Sequence, residues 1–174
     1  MMTRRAFLRS LLVASLLSRI DNGEAAVRRP GRVLDLYNTH TGESLRVRYS
    51  GAGIRDPEAI EQLSNLLRCH YTNEVRPIEP ALLNLLCSIG DAAAAWGPVH
   101  IISGYRSPEY NEHLRSQSRR VAKDSYHLEG LAIDFSIPGV RTTKLAKLAR
   151  TRGAGGVGRY PNFVHIDLGP VRSW

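Results

Sequence analysis

The chain is poor in cysteine and lacks any long apolar run, and each shortage narrows what it can be. Cys69 and Cys87 are its two cysteines. Neither has a His or Cys at a zinc-finger interval, which excludes a thiolate-ligated zinc module. The N-terminal apolar stretch, residues 11–17, falls far short of the roughly 20 residues that a membrane-spanning helix needs, so no permanent membrane anchor is expected. No Cys follows that stretch closely, which argues against a lipoprotein anchor. There is no internal repeat, and no low-complexity tract beyond residues 92–95, so a repeat architecture is out. The basic segments carry no interleaved aromatics, the pattern expected of a surface that stacks nucleic-acid bases.

What is present fits one globular domain: 174 residues, 43% hydrophobic and 23% charged. Lys and Arg total 24 against 16 acidic residues, a formal net charge of +8, with basic residues scattered from Arg4 to Arg172. Such a balance suits a polyanion, either nucleic acid or a bacterial cell wall with its carboxylate-bearing stem peptides. The first residues separate the two. Met1-Met2-Thr3-Arg4-Arg5-Ala6-Phe7-Leu8-Arg9 is basic and runs straight into the apolar stretch, as an export signal does. Thr3 to Leu8 resembles the twin-arginine signal; an ordinary secretory signal with two chance arginines is the alternative. Gly23 and Ala25 permit cleavage after Ala25. Export to the periplasm disfavours nucleic acid and places Cys69 and Cys87 where a disulfide can persist. A disulfide and two buried thiols both remain open.

The expected organisation is an export signal over residues 1–25, a leader and hairpin over 26–55, and a main domain over 56–174. Residues 32–37 and 44–49 alternate as two strands around a turn at 38–42. Asp56-Pro57 opens a helix, with Ile60, Leu63, Leu66 and Leu67 as its apolar stripe. A second helix starts near Glu79-Pro80 and runs to Trp96, where Gly97-Pro98 stops it. Residues 99–103 read as a strand, 109–119 as a helix, 120–128 as a polar loop and 131–137 as a strand. Residues 142–152 read as a helix, and 155–157 and 163–168 as short strands. The class is α+β, a small antiparallel sheet with flanking helices.

A catalytic zinc ion takes three protein ligands and leaves one position for water. His127 in a loop is followed seven residues later by Asp134 in a strand, with Gly130 between them to turn the backbone. His165 lies within a short apolar strand that can neighbour the first. Taken singly, a strand His is more often a core residue and an Asp after an apolar run a cap; the set of three is harder to dismiss.

Ser103-Gly104-Tyr105-Arg106-Ser107, Ser125-x-His127-x-x-Gly130-x-Ala132-x-Asp134 and His165-x-Asp167 occur in that order. Together they resemble the zinc peptidases of the D-Ala-D-Ala carboxypeptidase and hedgehog-like superfamily. Residues 155–160 and 167–174 are similar to its murein L,D-endopeptidase branch. The resemblance spans about residues 60–174. It implies a hedgehog/D,D-peptidase-like fold, one zinc ion held by His127, Asp134 and His165, and hydrolysis of peptide cross-links in peptidoglycan.

It further implies that Arg106 stabilises the oxyanion and that Ser125 contacts substrate; Ser125 is otherwise a turn residue bonded to its own loop. Several relatives carry a His or Glu two or three residues before the last ligand. Here those positions are Phe163 and Asn162, which cannot take a proton. Asp167 shares strand parity with His165, so it either accepts a proton or orients a ligand; Glu129 is a weaker candidate. Tyr105 and Tyr160 are expected along the substrate groove, Trp174 in packing, His100 in the core, and His40, His70 and His113 away from the metal. A D,D-carboxypeptidase and a non-catalytic zinc-containing wall-binding domain are the alternatives.

Overall fold

The computed structural model describes residues 31–51, 54–94 and 97–174. The expected export signal over 1–25, its cleavage site and the leader before Gly31 lie outside the described residues.

Both alternating segments form strands, β1 (Arg32–Asn38) and β2 (Ser44–Gly51), paired antiparallel as a hairpin. A two-residue strand, β3 (Ile54–Arg55), extends β2. Helix α1 (Pro57–Leu66) begins where Asp56 accepts hydrogen bonds from the Glu58 and Ala59 N–H groups. Helix α2 (Pro80–Ala93) ends earlier than expected, because Ala94 adopts the left-handed conformation with φ 51°; residues 95–96 of the expected extension lie outside the described residues. Strand β4 (Val99–Ser103) leads to helix α3 (Pro108–Gln117), capped by Ser107. The loop expected at 120–128 closes instead on a 3-10 turn, Tyr126–Glu129. Then follow β5 (Ala132–Ser136), α4 (Thr142–Thr151), β6 (Gly156–Arg159), β7 (Val164–Asp167) and β8 (Arg172–Ser173).

The α+β class is borne out, and the sheet is larger than the small one expected. Its eight strands run in the order β3-β2-β1-β4-β5-β7-β6-β8. Most neighbours are antiparallel; β1 with β4 and β6 with β8 are parallel. The front hairpin therefore joins the same sheet as the later strands. Alternation divides the central strands by face. Ile133, Phe135, Val164 and Ile166 are buried with Leu82, Leu83, Leu86 and Ile89 of α2 and Leu145 and Ala149 of α4. That apolar layer supplies the main driving force for folding. The other parity of β5 and β7 carries Asp134, His165 and Asp167, all buried polar groups. Cys69 and Cys87 are both free thiols, so the disulfide left open by the sequence is not formed. Cys69 Sγ lies 3.5 Å from Ser107 Oγ and Cys87 Sγ 3.6 Å from the Val33 carbonyl oxygen.

Candidate metal centre

Asp134 and His165 face each other directly across the β5–β7 pair. Antiparallel pairing places opposite residues on one face with Cβ atoms about 5 Å apart, so the strand register alone brings a carboxylate and an imidazole together. The third residue arrives from the 3-10 turn. Ser125 caps that turn by accepting from the His127 N–H at 3.4 Å. Gly130 ends it at φ 68°, a conformation that favours glycine. The Arg106 N–H donates to the His127 carbonyl at 3.1 Å, which ties the turn to the corner between β4 and α3.

Both imidazoles are oriented from behind. His127 Nδ1 donates to the Gly104 carbonyl at 2.7 Å, leaving Nε2 to face the cluster. His165 Nε2 donates to Asp167 Oδ2 at 2.9 Å, leaving Nδ1 to face the cluster. The inward atoms lie close together. His127 Nε2 is 3.2 Å from His165 Nδ1 and 3.3 Å from Asp134 Oδ1, and His165 Nδ1 is 2.8 Å from Asp134 Oδ1. Tetrahedral ligands at zinc bond lengths of about 2.0–2.2 Å are separated from one another by about 3.4 Å. The donor set therefore fits one zinc ion in chemistry, number and spacing. Among the described residues no other group of His, Cys, Asp and Glu gathers this way.

The electrostatics are those of a buried charge cluster. Burial would raise the Asp134 carboxyl, but His127, His165 and Arg106 more than offset it and hold the group well below the usual carboxylate range. Burial pushes His127 down. His165 is also opposed by burial, yet its hydrogen bonds to Asp134 and Asp167 leave it raised. Arg106 ion-pairs with Asp134 and donates from Nε to Ser103 Oγ at 2.9 Å. Its guanidinium lines a cleft of about 540 Å³ together with Ser125, His127, Asp134 and His165.

Asp167 is wholly buried. Besides His165 it accepts from the Gly156 and Gly169 N–H groups at 2.9 and 2.8 Å, and from Arg172 at 3.2 and 2.6 Å. It sits on the nitrogen of His165 turned away from the cluster, surrounded by donors that hold it charged, well below the usual range despite burial. This is the placement of an orienting partner, not of a proton acceptor facing the cleft. Tyr105 also departs from expectation. Its N–H donates to the Leu67 carbonyl at 2.8 Å, which turns the ring into the core, 6% exposed, with its hydroxyl 3.4 Å from Glu74 and not at the cleft. Glu129 points outward to Arg76 at 2.6 Å. His100 leans on Tyr37, and His40, His70 and His113 belong to a separate aromatic cluster.

Sequence reasoning missed Arg172 as the partner of Asp167, and it read Trp174 as packing alone. Trp174 does pack, with ring centroids 5.3 Å from His165, but it also lines the cleft with Tyr160, Phe163 and Arg172. A signal was available: Gly156 and Gly158 alternate on β6, so the face that bears Asp167 and Trp174 carries no side chains from that strand. At Gly158 a Cβ would come within 2.7 Å of the Trp174 ring, so only glycine admits the indole.

A family model described as peptidoglycan L,D-endopeptidase MepK matches residues 26–174. The chain belongs to that family. The resemblance drawn from its motifs is thereby borne out, and the front hairpin falls within the matched region. Peptidoglycan L,D-endopeptidase MepK of Escherichia coli (strain K12) is 42% identical over 145 residues, covering 82% of this chain and 80% of that protein. The probable peptidoglycan L,D-endopeptidase MepK of Haemophilus influenzae is 42% identical over 149 residues, covering 82% and 78%. A more distant likeness is to the L-Ala D-Glu endopeptidase ChiX of Serratia marcescens, with TM-score 0.43, 15% identity, and coverage of 63% of this chain and 86% of that one. Among the described residues, no helix is long and apolar enough to cross a membrane.

Proposed function

We propose that this chain is an exported, periplasmic zinc endopeptidase that hydrolyses peptide cross-links of peptidoglycan, with the L,D preference its relatives' names carry. The observation that supports it most is the triangle of His127 Nε2, Asp134 Oδ1 and His165 Nδ1, with sides of 3.2, 3.3 and 2.8 Å, within a chain of this family. A zinc ion held there would act as a Lewis acid on the scissile carbonyl and make water nucleophilic near neutral pH.

The protein's own groups do the rest. Gly104 and Asp167 fix the ring orientations and tautomers of His127 and His165. Arg106 is steadied by Ser103 and Asp134 and presents a guanidinium to the cleft, where it stabilises negative charge developing on the carbonyl oxygen. Ser125, at the rim, contacts the peptide. Arg120 lines the same cleft, and the chain from Ala26 onward keeps 20 Lys and Arg against 14 Asp and Glu, a balance that favours an anionic substrate. The twin-arginine-like start and the absence of base-stacking patterns support a wall substrate over nucleic acid.

The test is digestion of purified peptidoglycan by the chain from Ala26 onward, with zinc or with chelator, and mass analysis of the muropeptides. Zinc-dependent loss of cross-linked dimers, absent in His127→Ala, supports the reading and identifies the bond. Stoichiometric zinc binding with unchanged muropeptides sinks the catalytic claim in favour of a wall-binding domain.

A further inference from the structure

The ends of β6 and β8 bring a hydrogen-bonded pair of aromatic residues, Tyr160 and Trp174, to the cleft, and the metal site does not use it. Trp174 Nε1 donates to the Tyr160 hydroxyl oxygen at 3.1 Å. An indole N–H can only donate, so the Tyr160 oxygen is the acceptor and the hydroxyl proton is left for another partner. Among the described residues no second polar group bonds that hydroxyl. Tyr160 and Trp174 both line the cleft that holds Arg106 and His165.

The pair is built rather than loose. The Tyr160 ring stacks on Phe163, centroids 4.4 Å apart and 13° from parallel, and its N–H donates to the Phe163 carbonyl at 3.0 Å. The Trp174 N–H donates to the Val157 carbonyl at 3.2 Å, and the Arg159 N–H donates to the Trp174 carbonyl at 2.9 Å. Arg172, clamped on Asp167, places its guanidinium 5.2 Å from the centre of the Trp174 ring. Gly158 leaves room for the indole. One connected set of contacts thus runs from His165 through Asp167, Arg172 and Trp174 to the Tyr160 hydroxyl.

We propose that the Tyr160 hydroxyl donates a hydrogen bond to a backbone carbonyl of the bound stem peptide, and that Trp174 is the positioning residue that aims it. The inference rests on the peptidoglycan substrate of the endopeptidase reading above. A tyrosine whose oxygen is already bonded has its proton directed in advance, so less ordering is lost when substrate binds. A donor of this kind contributes to binding in the ground state as well as in the transition state, so its loss shows in KM.

The test uses the zinc-loaded chain with a purified cross-linked muropeptide dimer, and compares Tyr160→Phe, Trp174→Phe and the double variant. The Trp174→Phe change keeps a ring against His165 and removes the Nε1 donor. Zinc content and melting midpoint are measured for each variant, and binding of the dimer to the zinc-free protein is measured by calorimetry. The expected result for Tyr160→Phe is an increase of about tenfold in KM with kcat little changed, and a similar weakening of binding to the zinc-free protein. Trp174→Phe costs less, and when added to Tyr160→Phe it costs nothing further, because it acts through the hydroxyl. Binding and KM within twofold of wild type in Tyr160→Phe overturn the proposal, as does a Trp174→Phe cost that is the same in both backgrounds. If wild type binds the dimer in a Tyr160-dependent way without cleaving it, the endopeptidase reading falls and this one stands. If it neither binds nor cleaves, both fall.

Discussion

Two pairs of histidines lie in this molecule, and their surroundings differ in kind. His127 and His165 meet edge to face, centroids 5.0 Å apart, with the Asp134 carboxylate between them and hydrogen-bond acceptors behind each ring. His40 and His70 stack flat, centroids 3.7 Å apart and 3° from parallel, and the edge of the Tyr110 ring closes the cluster. The titration of the two inner rings follows. Hydrogen bonds to two carboxylates leave His165 raised despite burial, whereas burial, His40 and Arg106 bring His70 down to about 4. In the first pair acceptors fix each tautomer and the inward lone pairs converge, the arrangement that a metal ion would require. The second pair offers stacked faces and no converging lone pairs, so it serves as a packing unit.

The largest expected effect breaks the first pair. His165→Ala should abolish stoichiometric zinc binding, measured by elemental analysis, and lower dimer cleavage at least about a thousandfold, the equivalent of roughly 4 kcal/mol. Chelation should produce the same loss in the wild type without substitution, and added zinc should restore it. Failure of zinc to restore activity would point to another metal. Asp167→Asn tests the support behind the ring. It should weaken zinc about tenfold to a hundredfold in a competition titration, while the fold, followed by circular dichroism, persists. An unchanged zinc affinity would separate Asp167 from the metal.

The smallest effect belongs to the stacked pair. The folded state holds His70 below its ordinary value of 6.5, so folding favours the neutral ring. Its contribution is full above about pH 6.5 and is lost as pH falls toward 4, where the unfolded chain binds the extra proton. His70→Gln should flatten the fall in melting midpoint across that window and leave zinc content and cleavage unchanged. Loss of zinc in that variant would erase the distinction between the pairs.

Much of this was legible before the fold was known. Alternation disclosed β1 and β2, Asp56-Pro57 marked a helix start, and the seven-residue interval from His127 to Asp134, with Gly130 between them, pointed to two of the three clustered side chains. The errors have local causes. Tyr105 follows a strand whose register shifts between Ile101 and Ser103, and a backbone bond to Leu67 turns it into the core, so strand parity carried no information there. Ala94 stopped α2 by its backbone conformation, which the alanine run did not foretell. The partner of Asp167, Arg172, lies beyond a bend at 168–171, and no periodicity connects the two.

The sequence by itself determined which residues carry metal-ligating groups, which faces are apolar and where the chain turns, because those properties are local and follow from side-chain chemistry and short-range geometry. Only the tertiary structure decided that Asp134 stands opposite His165, that Asp167 faces away from the cleft and that Trp174 reaches Tyr160. Those facts depend on strand register and on the pairing of β6 with both β7 and β8, relations between distant segments that are fixed when the whole sheet packs against its helices.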